Sequence, residues 1–509
     1  MKKIITLLIC GFLFSCTATK PTVSTTSDGK ITFKIVQLND VYEIAPLNNG
    51  QYGGMARVAY LRDSIQKENP NTFLVMAGDF LNPSLLSSLK HQGKGIQGKQ
   101  MIEVMNAMNF DLVTFGNHEF DFSETVLQNR LNESEFEWTS ANTRHVNNGE
   151  VDFFYVENNG RRNQVTDYSI LTIEDADGDR MNLGIFGVTI ASNPKDYVYY
   201  GDVYEESERV YNEMKNQTDI IIGLTHIALD QDKNVARRLP DLPLIMGGHE
   251  HHNMLVKEGN TMIAKADANA KTMYVHTFTY DKNSENFTLD SELVWITDKV
   301  SSNAEIDAIV EKWDRIMEEN LRKVISNPDE IIYHAAVPWD GTDSSSRGKQ
   351  TNLGEIITKS MKFAYDDDAE AALVNGGSIR VDDELHGAIS SKDIFRILLF
   401  GGSVVKVKLK GKLLIEVLDY GVKSRGTGAY LQRYNFSKSD ENKWEIGGKQ
   451  ILPNEIYTIA MSDFLLRGLD ISFLTAKHPD VLEVYFPDED EIPGDIRRAV
   501  INYLKSLKN

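Results

Sequence analysis

Cysteine is almost absent from this sequence. The chain of 509 residues contains 2 cysteines, Cys10 and Cys16, and both lie within its first sixteen residues. A disulfide framework or a thiolate zinc site in the folded body is therefore excluded. Any metal ion in that body must be held by oxygen and nitrogen ligands.

Basic residues are also scarce. The 54 lysines and arginines are outnumbered by 74 acidic residues, which gives a net charge of −20. This balance disfavours a nucleic-acid polymer as partner, because phosphate backbones are bound through basic surfaces. A small phosphate substrate is still compatible with it, since a local metal site can attract one. At about 150 residues per domain, the length predicts two or three domains.

The N-terminus has the pattern of an export signal. Two lysines precede an apolar run over residues 4–14, which is too short for a membrane-spanning helix. The run ends in LFSC, which resembles the lipobox of bacterial lipoproteins. That resemblance implies a signal peptide over residues 1–15, a lipid on the sulfur of Cys16 and an exported protein anchored to a bacterial membrane, facing the periplasm or the cell surface. An ordinary secretory signal with an incidental cysteine is the alternative. Residues 16–30 are rich in Thr and Ser and predict a flexible tether.

From residue 31 the chain alternates between short apolar runs and segments of helical periodicity. Apolar runs bounded by Gly, Asn and Asp are typical of buried strands, and the alternation predicts an α/β protein with stacked sheets and helices outside. Residues 301–327 have helical periodicity. We interpret them as a linker helix between a first domain over residues 31–300 and a second α/β domain over residues 328–509.

Five apolar runs in the first domain end in side chains that can bind metal ions. These side chains are Asp40, Asp79, Asn117, His118, His226, His249 and His251. In open α/β sheets, ligands bind at the carboxyl ends of the strands. Oxygen and imidazole ligands without thiolate suit Zn, Mn, Fe, Co or Mg. The pattern therefore predicts a metal centre.

Here the sequence resembles the 5′-nucleotidase family of the metallophosphoesterase superfamily. The matching motifs are LND at 38–40, GD at 78–79, GNHEFD at 116–121, THIALD at 225–230 and GGHEHH at 247–252. The resemblance implies a four-layer α/β/β/α catalytic domain followed by an α/β nucleotide-binding domain.

The resemblance also implies two divalent metal ions, with Zn, Mn, Mg and Co left open. Asp79 would bridge the two ions. The other ligands would be Asp40 and His251 at the first ion, and Asn117, His226 and His249 at the second. A metal-bound hydroxide would attack phosphorus. His118 would contact the phosphoryl oxygens or the leaving group, and Asp121 would orient its ring.

One position departs from the family pattern. Family members carry Asp-x-His where this sequence has Asp40-Val41-Tyr42. Three outcomes are open: Tyr42 binds metal as a phenolate, Glu43 swings in as a ligand, or the first metal is held more weakly by fewer ligands. Loss of an imidazole favours a harder ion such as Mn or Mg.

The second half of the chain resembles the family's nucleotide-binding domain. In NGGSIR at 375–380, the glycines allow close backbone approach and the arginine suits phosphate recognition. The resemblance assigns substrate binding to Arg347, Asn375, Arg380, Tyr430, Phe464 and Asp470. Tyr430 and Phe464 would stack on the base, and Asp470 would accept hydrogen bonds from the ribose.

The implied reaction is hydrolysis of a nucleoside 5′-monophosphate to a nucleoside and phosphate. A 2′,3′-cyclic nucleotide or a nucleoside diphosphate sugar is an alternative substrate, because the same water and metals would serve. A non-catalytic homologue that binds a nucleotide is the other alternative, motivated by Tyr42. The presence of Asp79, His118 and Asp121 argues against it.

Overall fold

The computed structural model describes residues 27–158, 160–192 and 194–507. The predicted signal peptide, the predicted lipid site at Cys16 and most of the predicted tether lie outside the described residues. Within those ranges, no helix combines the length and the apolar character needed to cross a membrane.

The first domain is built on two stacked sheets. One sheet contains, in spatial order, strands Asn286–Trp295, Thr272–Asp281, Lys30–Leu38, Thr72–Ala77, Leu112–Thr114 and Glu137–Thr139. The other contains strands Tyr168–Glu174, Arg180–Thr189, Ile220–His226, Leu244–Gly247, Thr261–Lys265 and Met254–Glu258. The central strands of both sheets run parallel. Antiparallel strands close one edge of the first sheet and both edges of the second.

Apolar side chains on alternate strand positions hold the two sheets together. Ile31, Phe33 and Ile35 share one face of their strand and pack in one core with Leu183 and Ile185 of the other sheet. Helices cover the outer faces. These helices are Met55–Glu68, Leu85–Ser88, Lys99–Ala107, Glu124–Glu133, Val203–Met214 and Leu229–Arg238. The predicted α/β/β/α arrangement is confirmed.

A single helix, Ala304–Leu321, connects the two domains. The side chain of Asn303 caps its first turn by accepting two backbone N–H groups. Trp313 and Met317 lie on its buried stripe, which packs against helices of the first domain. The connecting helix is therefore packed against the first domain.

The second domain contains one mixed sheet with helices on both faces. Its strands lie in the order Leu431–Tyr434, Ala371–Asn375, Ile456–Ser462, Val404–Lys410 and Val481–Tyr485. Helix Gly411–Lys423 covers one face, and helices Asn352–Phe363 and Ile496–Ser506 cover the other. A separate ribbon pairs Ile331–Asp340 with Glu384–Ser390. The second domain also contains the shorter helices Asp343–Ser346 and Ser391–Ile397 and the shorter strands Phe436–Lys438, Trp444–Ile446 and Lys449–Gln450.

The first domain has shorter strands besides those of its two main sheets. They are Lys90–His91, Lys94–Gly95, Thr143–Asn147, Glu150–Asp152, Tyr155–Asn158, Arg161–Gln164 and Val198–Tyr200.

Candidate metal centre and substrate cleft

Polar side chains from the strand ends of both sheets meet at one end of the first domain. Several of them follow their strands through strained turns. Asp40, Asp79 and His249 have φ angles of 53°, 56° and 83°, in the left-handed region that L side chains rarely adopt. Strain of this kind is characteristic of functional sites, where the surrounding structure fixes the geometry.

Two buried carboxylates and one imidazole form the middle of this group. Nε2 of His226 lies 3.1 Å from Oδ2 of Asp79 and 3.9 Å from Oδ1 of Asp40. Each of these residues has a ligand atom within 4.8 Å of the others. Nε2 of His251 lies 3.3 Å from Oδ1 of Asp40, and the His249 ring lies 5.5 Å from that of His226. The fold therefore brings these five predicted ligands together.

The donor set fits a divalent cation. Nδ1 of His226 lies 2.7 Å from the carbonyl oxygen of Ala77. A carbonyl can only accept, so Nδ1 carries a proton and the lone pair of the neutral ring is on Nε2. That lone pair faces the carboxylate of Asp79, so the contact is favourable only when a proton or a metal ion lies between the two groups. Carboxylate and imidazole donors suit Zn, Mn, Co or Mg.

Electrostatics in the pocket also favour positive charge. Burial alone would lower the pKa of His226, but the carboxylates of Asp79 and Asp40 outweigh it and raise this pKa to about 9. Burial alone would raise the pKa of Asp40, but His226 and His251 lower it overall. The pocket thus stabilises positive charge between its carboxylates, as a metal centre requires.

Tyr42 reaches into the metal centre. Its hydroxyl lies 3.1 Å from Nε2 of His251, 3.3 Å from Oδ2 of Asp79 and 3.5 Å from Oδ1 of Asp40. Burial and the negative charges of Asp79 and Asp40 raise the pKa of Tyr42 well above its usual range. The phenol is therefore neutral unless a metal ion removes its proton.

Glu43 points away from the metal centre. Its Oε1 lies 3.5 Å from Nε of Arg396, a residue of the second domain. The alternative in which Glu43 swings in as a metal ligand is therefore not the arrangement in this structure, because its carboxylate already faces a buried guanidinium. In this arrangement, the side chain that contacts the predicted ligands Asp40, Asp79 and His251 is that of Tyr42.

The GNHEFD loop places the imidazole of His118 close to two carboxylates beside the metal centre. Nδ1 of His118 lies 2.7 Å from Oδ2 of Asp121, and Asn82 donates to the same oxygen at 2.8 Å. The backbone N–H of His118 donates to Oδ1 of Asp79 at 2.7 Å. Burial lowers the pKa of His118, but Asp79 and Asp121 raise it overall. A Cβ on Gly116 would lie 2.1 Å from Oδ1 of Asp79, so the loop requires glycine there.

Glu119 holds two of these loops together, a role that the sequence did not reveal. This buried carboxylate accepts the backbone N–H groups of Asp79, Phe80, Leu81 and Gly116 at 2.6–3.1 Å. Burial, followed by the nearby charge of Asp79, raises its pKa to about 7. Its only signal in the sequence is its position inside GNHEFD.

Lys265 stabilises the two loops that carry the predicted histidine ligands, a role that the sequence also did not indicate. It is fully buried at the end of its strand. Its Nζ donates to the carbonyl oxygens of Ile227 and Gly248, each at 2.7 Å, and lies 2.8 Å from Oδ2 of Asp232. It also contacts the carboxylate of Glu250. One ammonium group thus ties together the segments that carry His226, His249 and His251.

The metal centre opens into a cleft between the two domains. This cavity has a volume of about 590 Å³ and is lined by Asn117 and His118 from the first domain and by Arg347 and Arg380 from the second. Nη2 of Arg380 lies 3.9 Å from Oδ2 of Asp121. The predicted phosphate-binding arginines and the predicted metal ligands therefore face one space.

The predicted nucleoside-binding residues are less well assembled. Nδ2 of Asn375 donates to Oδ2 of Asp470 at 2.9 Å. The ring of Tyr430 is 4% exposed, and its hydroxyl accepts from Nε2 of Gln350 at 3.2 Å. Among the described residues, neither Tyr430 nor Phe464 lines the cleft. In this arrangement the predicted stacking pair does not face the cleft, and Tyr430 is instead buried and bonded to Gln350.

Comparisons with known proteins agree with this geometry. Residues 33–253 match the calcineurin-like phosphoesterase family, and residues 331–477 match the 5′-nucleotidase C-terminal domain. The chain belongs to the 5′-nucleotidase family of metallophosphoesterases. Members of this family are metal-dependent phosphoester hydrolases, and this chain is one of them.

Curated relatives include enzymes from bacteria and animals. The 5′-nucleotidase of Vibrio cholerae is 26% identical over 96% of this chain and 94% of that protein. The 5′-nucleotidase of Bos taurus is 25% identical over 75% of this chain and 68% of that protein. A trifunctional nucleotide phosphoesterase of Bacillus subtilis is 24% identical over 80% of this chain, which spans 30% of that longer protein.

A solved structure supports the fold. A 5′-nucleotidase precursor from Thermus thermophilus superposes with a TM-score of 0.69 at 21% identity. The superposition covers 94% of this chain and 97% of the other. The two-domain architecture of this 5′-nucleotidase family member is therefore shared by a protein of low sequence identity.

Proposed function

We propose that the protein hydrolyses nucleoside 5′-monophosphates to nucleosides and phosphate at a two-metal centre. The observation that carries this proposal is the shared cleft, in which the metal ligands and His118 face Arg347 and Arg380. Such a cleft suits a dianionic phosphate ester, since positive charge surrounds it from both domains.

Seven residues would hold the two ions. Asp79 would bridge them, with Asp40, His251 and Tyr42 at the first position and Asn117, His226 and His249 at the second. When bound, the ions lower the pKa of a water molecule and offset charge on the phosphoryl oxygens. Water supplies a hydroxyl group to phosphorus and a proton to the departing 5′ oxygen.

His118 would stabilise the reacting phosphoryl group. Its Nδ1 is held by Asp121, which leaves Nε2 as the ring atom that faces substrate. The raised pKa of His118 favours the protonated ring, in which Nε2 can donate to a phosphoryl oxygen or to the leaving oxygen. Asp121 acts through this ring as a positioning residue.

The second domain would bind the rest of the nucleotide. Arg347 and Arg380 suit phosphate, because a guanidinium can donate two parallel hydrogen bonds. Asp470, held by Asn375, suits ribose hydroxyls. Phe400 is 71% exposed and lies 5.6 Å from the Arg380 guanidinium carbon, so its ring offers an open face to a base.

Hydrolysis of another nucleotide phosphoester is the second candidate. Among the described residues, neither Tyr430 nor Phe464 lines the cleft, so recognition of the base restricts the type of phosphoester less than the predicted stacking pair would. A 2′,3′-cyclic nucleotide or a nucleoside diphosphate sugar would meet the same metal ligands and arginines.

We also propose that the protein is exported and lipid-anchored through Cys16. Metabolic labelling with a fatty acid tests this proposal. We expect label on the wild type and on Cys10→Ser, and none on Cys16→Ser. Label on Cys16→Ser would contradict the lipid anchor.

Phosphate release from a panel of nucleotides with Mn, Zn, Mg or Co tests the catalytic proposal. We expect release from 5′-monophosphates and its loss in His118→Ala. His386→Ala, which changes an exposed histidine, is the matched control. Release from cyclic nucleotides or diphosphate sugars alone would favour the second candidate. No release with any metal would favour a binding protein.

A further inference from the structure

His251 of the catalytic domain contacts a carboxylate of the C-terminal domain. Its Nδ1 lies 2.6 Å from Oδ2 of Asp382, while its Nε2 lies 3.3 Å from Oδ1 of Asp40. One imidazole ring thus joins the metal centre to the second domain. Both Asp382 and His251 line the cleft between the domains.

Asp382 is itself held in place. Its Oδ1 accepts the backbone N–H of Asp343 at 2.6 Å, and its Oδ2 is the oxygen that contacts the His251 ring. Its φ angle of 40° lies in the left-handed region, which fixes the turn that follows Arg380. The group that faces His251 is therefore an immobilised carboxylate.

We propose that Asp382 is a positioning residue for the first metal position. A histidine that binds metal through Nε2 must carry its proton on Nδ1, and a carboxylate at Nδ1 fixes both the tautomer and the ring orientation. In this protein, that carboxylate comes from the other domain. The His251 ring therefore has this partner only when the C-terminal domain is docked. This inference rests on the two-metal site of the proposed function.

A neighbouring ion pair holds the same turn of the second domain against the first domain and involves no predicted metal ligand. Nζ of Lys271 in the first domain lies 2.6 Å from both carboxylate oxygens of Asp383. Asp383 therefore offers a matched control for Asp382. Its removal weakens the same domain contact but leaves the His251 ring with its partner.

The coupling must act in both directions. If docking of the second domain strengthens metal binding at the first position, metal at that position stabilises the docked arrangement by the same factor. This link would hold the substrate-binding arginines beside the phosphoryl site whenever the first ion is present.

Mn²⁺ titration of the metal-free full chain, followed by electron paramagnetic resonance, tests the inference. We expect two bound ions in the wild type, with a signal from a coupled pair. Asp382→Ala is expected to weaken one position by about 10–100-fold and leave the other within about twofold. Asp382→Asn, whose amide oxygen can still accept from Nδ1–H of His251, is expected to lose less metal affinity at that position than Asp382→Ala.

Asp383→Ala is expected to change both affinities by less than about threefold. Wild-type affinities in Asp382→Ala would overturn the positioning role. If Asp383→Ala weakens metal binding as much as Asp382→Ala does, the effect comes from the domain contact in general, and the positioning role of Asp382 is also overturned. Fewer than two ions in the wild type would instead contradict the two-metal site of the proposed function. Circular dichroism of each variant checks that it is folded.

Discussion

The hydroxyl of Tyr42 lies 3.1 Å from Nε2 of His251, among the predicted metal ligands. A phenol thus takes the place of the imidazole that the family carries. A phenolate is a hard, anionic oxygen ligand, whereas an imidazole is a softer and neutral one. If Tyr42 binds metal, we expect this difference to change the preference of the first metal position among divalent ions.

Tyr42→His is expected to shift that preference from Mn or Mg toward Zn. Imidazole is a good ligand for Zn, whereas oxygen donors suit Mn and Mg. Competition between Zn and Mn, measured by isothermal titration on the metal-free protein, gives the ratio of affinities. Tyr42→Phe, which removes only the hydroxyl, is the control and is expected to weaken the first position for every ion. An unchanged Zn/Mn ratio in Tyr42→His would contradict the hypothesis.

Asp121→Asn is expected to move the alkaline limb of the pH–kcat profile to lower pH. The pKa of His118 is raised mainly by Asp79 and then by Asp121, so the charged ring persists above its usual pH range. Activity that needs this charge is present below the folded pKa and is lost as pH rises through it. Without Asp121 the loss comes earlier, and kcat falls by up to about 100-fold. Asp230→Asn, on an exposed side chain, is the control. An alkaline limb that stays in place would exclude this role for Asp121.

Arg380→Ala is expected to lower kcat/KM for nucleoside 5′-monophosphates by about 10–100-fold. A charge-assisted hydrogen bond to phosphate contributes about 1.5–3 kcal/mol, which corresponds to that factor. Steady-state kinetics at saturating metal measures the effect. Arg315→Ala, on a side chain that is 66% exposed on the connecting helix, should retain wild-type kinetics. Equal kcat/KM values for Arg380→Ala and Arg315→Ala would show that Arg380 does not bind the substrate.

Lys265→Met is expected to destabilise the catalytic domain by about 3–5 kcal/mol. The substitution leaves Asp232 buried without its cation, and breaking a buried ion pair on one side has this cost. Urea unfolding followed by tryptophan fluorescence measures the change. Lys282→Met removes a half-exposed ammonium 3.4 Å from Asp179 and is expected to cost less than about 1 kcal/mol. Similar midpoints for the two variants would show that Lys265 is not a structural clamp.

Much of the catalytic domain could be predicted because its signals are local. Each predicted ligand directly follows an apolar run, so the strand and the residue at its end are visible in the same short window of sequence. Asp40, Asp79 and His226 are brought together for this reason. The layer order could also be predicted, because strands and helices alternate along the chain.

The roles that could not be predicted from the sequence depend on contacts with distant segments of the chain. Lys265 ends an ordinary apolar strand, and only the fold places it between the segments that carry the histidines. Asp382 is separated from His251 by the end of the first domain, the linker and the first part of the second domain. The burial of Tyr430 depends on Gln350, whose contact with it no local pattern indicates. Such contacts are set by packing between segments far apart in sequence.

The charges at the domain boundary have a consequence for how this protein can be altered. Lys271 faces Asp383, and Glu43 faces Arg396, so each domain presents both signs in a pattern that the other completes. A C-terminal domain taken from another family member would need an acid at position 382, an acid at 383 and a base at 396 to dock in the same way. A chimera without them would combine two intact folds and still leave His251 without its carboxylate. The two halves of this enzyme are therefore constrained to change together.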